Sequence, residues 1–460
     1  MSEDFILSQL KNIVGNAYVT KDLDAYLVKP RNSDEIQKII QIANKYKFPI
    51  FTKICDEEFH GINDIMPGDV LLDFSRMNTI HNLDIKSRSI TIEPGVSFLQ
   101  LQKELKKYEL RAMNPIGLPA SVSVLNSYVE RIPLLSAPRP LLVNGWQCIL
   151  AMDVVLPSGE ILNTGASSFV DVKKLFFWPF GCGPDLSRVF TAGQGTMGIV
   201  TKATIKVKKI PQLRKILFIR FDNIQNAVDA LYKIQRIEIG EECILVNNFN
   251  FSVWLTENPA DQKSFIKTTP QWTLLLCLAG PEEKIKYQEE DLEDLGVEPE
   301  INLERLADEV LKEFYNPQKI SKLLEYKSIC RKVCFYTTLN RIPEINIKIY
   351  DVIRQNNYPL EEVGVFITPI ELGHASFVEY YIYADAKNQN EKERVEKLYF
   401  ELYQLIVNLG GNIDRPNKRI AEIVYSKNPT FYNFLKSVKN QLDPSDIINP
   451  KKLLIEKGNI

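Results

Sequence analysis

Apolar residues follow a helical period near the start of the chain. Ile36, Ile39, Ile40 and Ala43 are spaced three or four positions apart, which predicts an amphipathic helix. Asn32 is suited to cap its first turn, with Glu35 at the capping-box position. An apolar run at 48–52 predicts a buried strand after this helix. A further helix is predicted after Pro94-Gly95, with Phe98, Leu101 and Leu105 on one side.

Further along, the pattern changes to alternation. Residues 149–164 predict a hairpin whose turn is Pro157-Ser158-Gly159, and residues 199–207 alternate as a half-buried strand does. Beyond Pro211, two strand-helix-strand units follow each other, the second starting near Trp272. This succession predicts a small sheet with helices on one face, ferredoxin-like in the loose sense.

Composition narrows the functional class. The chain of 460 residues carries 56 basic and 58 acidic residues without a basic stripe, so nucleic-acid binding is not expected. Seven scattered cysteines and the absence of a signal-like or 18-residue apolar stretch predict a cytoplasmic protein without a membrane span. The three histidines have no metal-ligand spacing, and no metal site is expected.

Several motifs, taken in their order along the chain, together resemble those of a known family. They are "VKPRNSDEIQKIIQIANKYKFPI", "ITIEPGVSFLQLQKEL", "MDVVLPSGEILNTG", "AGQGTMGIVTKATIKV" and "LDPSDIINPKKLL". Together they resemble the FAD-linked oxidases typified by p-cresol methylhydroxylase and vanillyl-alcohol oxidase. The resemblance implies an α+β fold with a two-subdomain FAD-binding domain over 1–210 (subdomains about 20–95 and 96–210). It also implies a cap domain with a ferredoxin-like antiparallel sheet over 211–425, and a C-terminal segment, 426–460, that returns to the first domain.

The resemblance also implies site residues. The positions expected to contact FAD are Gly61, Ser123, Asn126, Gly195, Gly198, Ile199 and Val200. The turn that contains the last four also starts a strand, so folding alone would explain it equally well. Arg415 matches an arginine near substrate and flavin, although a solvated surface role is the alternative. His374, Tyr380 and Tyr381 fall on a strand that crosses the substrate pocket, with packing roles as the alternative; no residue is identified for covalent flavin attachment.

The sequence departs from the family where the ligand is expected. A glycine-rich loop lets backbone N–H groups approach a diphosphate, but this chain has Asp56, Glu57 and Glu58 before Gly61. Residues 120–132 lack the family's glycines, while Glu130 and Arg131 keep its acidic-basic pair. For FAD to bind, this loop would have to swing aside, or Lys53, Arg76 or another cation would have to offset the carboxylates.

Two functions therefore remain open, together with a weaker third. The first is an FAD-dependent oxidoreductase that oxidises a small alcohol, hydroxy acid or alkylphenol by hydride transfer to flavin N5, with an electron-transfer partner. The second is an inactive or FAD-poor relative that acts as a structural or regulatory subunit beside a paralogue. The third is a pocket reused for an uncharged or cationic ligand.

Overall fold

The computed structural model describes residues 3–22, 25–52, 68–115, 118–136, 145–168, 178–256, 258–317, 321–416, 418–450 and 452–453. Its strands are β1 Val19–Asp22, β2 Ala25–Val28, β3 Ile50–Thr52, β4 Val70–Leu72, β5 Ile80–Asp84, β6 Ser89–Ile92, β7 Leu110–Arg111, β8 Ile149–Val155, β9 Ile161–Asn163, β10 Ile199–Lys206, β11 Lys208–Lys209, β12 Leu213–Phe221, β13 Glu242–Asn247, β14 Trp272–Gly280, β15 Ile329–Thr337, β16 Gly364–Ile370 and β17 Ala375–Ala384. Its helices are α1 Glu3–Val14, α2 Ser33–Tyr46, α3 Phe98–Leu105, α4 Val124–Val129, α5 Ser187–Phe190, α6 Ile224–Arg236, α7 Asn248–Leu255, α8 Pro259–Thr268, α9 Glu282–Asp294, α10 Ala307–Tyr315, α11 Ser321–Glu325, α12 Ile342–Gln355, α13 Gln389–Asn408, α14 Lys418–Tyr425 and α15 Pro429–Leu442.

A four-stranded sheet forms the first unit, in the order β1-β2-β4-β3. Strands β2 and β3 both run parallel to the central β4. Helix α2 begins as the pattern predicts, because the Asn32 side chain accepts a hydrogen bond from the Glu35 N–H at 3.0 Å. Ile36, Ile39 and Ile40 are fully buried in the core of this unit. The local signals and the hydrophobic period thus agree on this helix.

The second unit is a five-stranded antiparallel sheet in the order β5-β6-β10-β8-β9. The predicted hairpin is β8 and β9, and the predicted alternating strand is β10, although Thr204 is buried instead of half-exposed. Helices α3 and α4 bury Leu101, Leu105 and Tyr128 in the core of this unit. Each of the two sheets therefore has its own apolar core.

The third unit is a six-stranded sheet in which every pair is antiparallel, in the order β12-β14-β13-β16-β17-β15. Helices α6, α9, α12 and α13 cover one face. The prediction that helices lie on one face only is wrong, because α7, α8, α10 and α11 cover the other face with an aromatic layer. The segments between the strands supply this second layer, so the sheet is buried on both sides.

A buried ion cluster joins the six-stranded sheet to the second unit. Arg111 of β7 and Arg214 of β12 each lie 2.5 Å from one oxygen of Glu242, and Arg111 also contacts Glu241 at 3.2 Å. Burial opposes ionisation of Glu242, but the charges of Arg111 and Arg214 outweigh it and lower its pKa to about 2. Both oxygens of this carboxylate are therefore bonded, and the cluster fixes the two units against each other.

The C-terminal segment packs back onto the first unit. Ile448 forms a parallel bridge with Ile50 of β3. The fully buried Asn449 side chain accepts from the Thr52 N–H at 3.0 Å and donates to the Gly195 carbonyl at 3.0 Å. Buried Lys439 donates to the Thr196 carbonyl at 2.9 Å. The chain end thereby holds the edge of β3 and the turn before β10 together.

The domain boundaries predicted at 210/211 and 425/426 remain predictions; they fall between β11 and β12, and at the end of α14. Over the described ranges, no helix combines the length and the apolar character needed to cross a membrane. The cytoplasmic location stays a prediction.

Candidate functional site

A cavity of about 380 Å³ opens between the first two sheets. This volume falls within the range of roughly 300–1,000 Å³ that small-molecule sites have. Six residues predicted to contact FAD line it, and they come from two separate stretches of the chain: Ser123, Asn126, Gly195, Gly198, Ile199 and Val200. The seventh, Gly61, lies outside the described residues, as do Asp56, Glu57 and Glu58.

Ser123 organises one wall of the cavity. Its hydroxyl accepts a hydrogen bond from the Asn126 N–H at 3.1 Å, which caps α4. The same hydroxyl donates to the Pro94 carbonyl at 2.6 Å. A Cβ on Gly95 would lie 2.4 Å from the Phe74 carbonyl oxygen. Close packing of backbone segments therefore shapes this wall even though the glycines expected from the family are absent.

The turn before β10 forms the opposite wall. Gly195 has a φ of +66°, and a Cβ there would lie 2.7 Å from Asn449 Nδ2. A Cβ on Gly198 would lie 2.8 Å from Val154 Cγ1. Packing within the protein accounts for both glycines, as the folding explanation of this turn predicts. Their place in the cavity adds a binding role as a second hypothesis.

The chemistry of the lining suits an uncharged, flat group. Phe74, Leu125, Phe190 and Ile199 provide apolar walls. Polar groups are contributed by Thr52, Ser75, Ser123, Asn126 and Gln194, and carboxylates by Asp73 and Glu130. No lysine or arginine is among the described residues of this lining. These walls therefore fit the nucleoside and ring portions of a dinucleotide, while the charges that neutralise its diphosphate have to come from elsewhere.

Arg76, a predicted source of that charge, points away from the cavity. Its guanidinium lies 3.3 Å from the centroid of the Tyr18 ring and donates to the Lys29 carbonyl at 2.7 Å. Lys53 lies outside the described residues. The carboxylate of Asp73 lies 3.8 Å from Lys29 and accepts a hydrogen bond from the Ser75 N–H. Arg76 thus acts in the packing of the first unit.

Glu130 is the residue at which the cavity meets a set of buried charges. It follows α4, is 4% exposed, and lines the cavity. Its Oε2 atom is buried and has no hydrogen-bond partner among the described residues. Burial raises the pKa of this carboxyl to about 7, against the opposing charges of Arg415 and Lys452 and a backbone hydrogen bond from Gln194. A buried polar atom without a partner is costly, so this oxygen is a candidate ligand contact.

Arg415 lies beside Glu130. The hypothesis of a solvated surface arginine is wrong, because the side chain is only 13% exposed and its Nε lies 3.2 Å from Asp414 Oδ1. Burial opposes the charged form, but the charge of Asp414 outweighs it and raises the pKa of Arg415 above its ordinary value. The side chain was difficult to place from the sequence because its buried neighbours lie on other elements.

The residues around Arg415 form what we call the junction cluster: Glu130, Arg131, Tyr336, Asp414 and Arg415. Their charges interact across the contact between the first units and the six-stranded sheet. The Tyr336 hydroxyl and the Arg131 Nε are buried and, like Glu130 Oε2, have no hydrogen-bond partner among the described residues. Three such atoms in one cluster indicate a place where a ligand completes the hydrogen bonding. No motif in the sequence indicates a role for Tyr336.

The three residues predicted for the substrate pocket lie in three different places. Tyr381 is buried beside Cys334 and donates to Glu379 Oε2 at 2.9 Å, near the junction cluster. Tyr380 points to the opposite face of the sheet, where its hydroxyl donates to Asn346 at 2.7 Å. His374 is exposed in the turn before β17 and lines a separate groove. Of the three, Tyr381 is the one near the junction cluster, and its place in a substrate pocket stays a prediction.

Comparison with known proteins identifies the family of this chain. Residues 25–165 match the FAD binding domain family, and residues 348–453 match the C-terminal domain of FAD linked oxidases. The chain belongs to the FAD-linked oxidases. The predicted family is confirmed, and FAD is the cofactor of this FAD-linked oxidase.

Curated relatives extend the match over most of the chain. The glycolate oxidase subunit GlcD of Bacillus subtilis is 24% identical over 93% of this chain and 88% of its own length. The mitochondrial D-lactate dehydrogenase [cytochrome] of Arabidopsis thaliana is 24% identical over 93% of this chain and 73% of its own. The crystal structure of p-cresol methylhydroxylase with substrate bound superposes with a TM-score of 0.85 at 17% identity, covering 98% of this chain and 97% of that chain. This last likeness confirms the fold.

The cavity fits the cofactor in part. FAD has a nucleoside end and a ring end, and the described lining offers apolar surface with hydroxyl and amide groups for such groups. The unpartnered Glu130 oxygen would gain a partner from a ligand in this place. No observation on the described residues supplies the cation for the diphosphate.

Proposed function

We propose that this FAD-dependent oxidoreductase binds its cofactor in the cavity beside α4 and β10 and oxidises a small 2-hydroxy acid at the junction cluster. One observation carries the proposal: the cavity lined by the predicted FAD residues includes Glu130 in its wall, and the neighbours of Glu130 include the largely buried Arg415. A carboxylate is the natural partner of a buried arginine, which can bind it through two parallel hydrogen bonds.

Different residues of the junction cluster bind different groups of the substrate. Arg415 binds the carboxylate, and Asp414 keeps the guanidinium charged and oriented. Burial raises the pKa of Tyr336, so its hydroxyl stays protonated and is available to hydrogen-bond the substrate oxygen. FAD, when bound, supplies the acceptor for the hydride at its N5 atom. Transfer of that hydride to the flavin and release of the hydroxyl proton to solvent convert a 2-hydroxy acid to a 2-oxo acid.

The names of two relatives support this substrate class, because they include glycolate and D-lactate. An alkylphenol is the second candidate, favoured by the aromatic layer on the same face of the six-stranded sheet as Tyr381. The GlcD relative is named as a subunit, so we also propose a partner subunit that receives the electrons. A catalytically inactive subunit with the same fold is the remaining alternative.

The test is anaerobic reduction of the bound flavin, followed by its visible absorption. We expect D-lactate or glycolate to bleach the flavin of the purified chain, and the Arg415→Met variant to bind these acids at least tenfold more weakly, since a bidentate charged contact is worth roughly 1.5–3 kcal/mol. The Arg415→Lys variant keeps the positive charge and is the matched control for the loss of charge in Arg415→Met. Bleaching by 4-cresol alone would support the alkylphenol, and a flavin that no substrate reduces would support the inactive subunit.

A further inference from the structure

Cofactor binding in general does not explain the carboxyl group of Glu130 in the cavity wall. A cavity for an anionic dinucleotide gains nothing from an ionised carboxylate in its wall, since two like charges in a partly dry site repel each other. The described lining nevertheless contains Glu130, with Oε2 buried and without a partner. A carboxyl group can accept a hydrogen bond in either protonation state, but it can donate one only when it carries a proton.

The neighbours of Glu130 show which form the site favours. On its own element, Arg131 follows it directly; from the other packed segments, Arg415 and Lys452 contribute positive charge. Asp414 is paired with Arg415, and Tyr336 lies beside both. Across the cavity, Asp73 is the second carboxylate of the lining. Gln194 donates one backbone hydrogen bond to Glu130. Despite three cations nearby, burial prevails and holds the pKa of the carboxyl near 7.

We propose that Glu130 is a positioning residue that makes FAD binding proton-linked: the carboxyl takes up a proton when the cofactor enters and donates it, through Oε2, in a hydrogen bond to an acceptor atom of FAD. The proposal rests on the proposed function, because it places FAD in this cavity. The uptake balances simply: one proton leaves the solvent, neutralises the carboxylate and remains on Oε2 while FAD is bound. No covalent bond forms or breaks in the ligand.

A protonated Glu130 predicts a specific pH dependence. Below the pKa of the free site the carboxyl already carries the proton, and the affinity for FAD is constant. Above it, binding has to take up a proton, so the affinity falls by about tenfold for each pH unit. The loss of affinity with rising pH is therefore the signature of this carboxyl.

The test is titration of the flavin-free full chain with FAD between about pH 6 and pH 9, by flavin fluorescence and by calorimetry in two buffers of different ionisation enthalpy. For the wild-type chain we expect uptake of close to one proton at about pH 8 and the tenfold-per-unit slope. The Glu130→Gln variant keeps an N–H donor without a titratable group, and its affinity is expected to be independent of pH, with no proton uptake. Asp73→Asn, from the same lining, is the control that keeps the wild-type slope.

The outcomes separate the two proposals. A wild-type chain that binds FAD with no proton uptake, or a Glu130→Gln variant that keeps the wild-type slope, would overturn the role of Glu130 and leave the cofactor site intact. A chain that does not bind FAD at any pH would overturn the cofactor site itself. If the pH dependence of FAD affinity were lost in Asp73→Asn and kept in Glu130→Gln, the proton would belong to Asp73, and the inference would be overturned.

Discussion

Two buried glutamates mark two regions of this molecule. Glu242 lies between β7 and β12, where both of its oxygens are bonded by arginine and its pKa falls to about 2. Glu130 lies at the wall of the cavity, where one oxygen has no partner among the described residues and the pKa rises to about 7. Both are buried to a similar degree. Complete bonding, and not burial, therefore distinguishes a carboxylate that holds the fold from one with an oxygen free to bond a ligand.

The largest effect should come from breaking the bonded glutamate. We expect Glu242→Gln to destabilise the chain by about 3–5 kcal/mol, because it leaves two buried guanidinium groups without their counter-charge. Urea unfolding measures this loss. Glu241→Gln, whose side chain is 16% exposed and which also contacts Arg111, should cost about 1 kcal/mol or less. Equal effects of the two substitutions would contradict the structural role of Glu242.

The pH dependence of Glu242 sharpens the same prediction. Its pKa falls from an ordinary value of 4.5 to about 2 on folding. A lowered carboxyl pKa stabilises the folded state fully above the unfolded value, and the contribution is lost as the pH falls toward the folded value. We therefore expect the difference in stability between wild type and Glu242→Gln to shrink below pH 4.5. A difference that stays constant in acid would mean that the carboxylate charge is not the cause.

Asn449 tests whether complete bonding also identifies a structural amide. Its side chain joins Thr52 and Gly195 and is fully buried. Asn449→Ala should therefore cost about 2–3 kcal/mol through two lost hydrogen bonds and a backbone N–H left without its partner. Thermal or urea unfolding measures the change, and Asn433→Ala on the exposed side of α15 is the control. A loss of less than about 0.5 kcal/mol would show that water replaces the amide.

Removing the charge of the incompletely bonded glutamate should have the opposite sign. The folded-state pKa of Glu130 is raised from 4.5 to about 7, so stability is lost progressively as the pH rises from the unfolded-state value to the folded-state value. Glu130→Gln should stabilise the flavin-free chain by about 1–3 kcal/mol at about pH 8 and by nothing measurable below about pH 4. Unfolding at both pH values provides the measurement. A variant that is less stable at high pH would place Glu130 with Glu242 as a structural carboxylate.

The smallest effect on stability is expected at Tyr336. Its buried hydroxyl has no partner among the described residues, so Tyr336→Phe should change the free energy of unfolding by about 0.5 kcal/mol or less while weakening substrate binding. Tyr128→Phe is the matched control: that hydroxyl donates to the Met113 carbonyl at 2.7 Å, and its loss should cost about 1 kcal/mol. Substrate binding that Tyr336→Phe leaves unchanged would remove this hydroxyl from the site.

The sequence predicted the scaffold well because its signals are local. Asn32 and the period of α2, the turn at Pro157-Ser158-Gly159 and the alternation of β10 each act within a few residues. The cavity residues were also recognisable, since Ser123 and Gly198 belong to motifs whose order the family keeps. Such features depend little on what the rest of the chain does.

The chemistry of the site depends on distant partners, and the sequence predicted it less well. The burial of Arg415 comes from elements such as β15, on which Tyr336 lies, and neighbours along the chain do not reveal it. Glu130 looked like part of a motif, yet its unpartnered oxygen follows from tertiary packing. The separation of Tyr380 from Tyr381 was foreseeable, because adjacent residues in a strand point to opposite faces.

The central claim is that FAD lies in the cavity between the first two sheets, and filling that cavity tests this claim directly. Val200→Trp places a large side chain in the cavity, while Lys206→Trp places the same side chain on the exposed end of the same strand. We expect the purified Lys206→Trp chain to keep the flavin absorption of the wild type and the Val200→Trp chain to be colourless while still folded by circular dichroism. A folded Val200→Trp chain that retains the full complement of flavin would contradict the account.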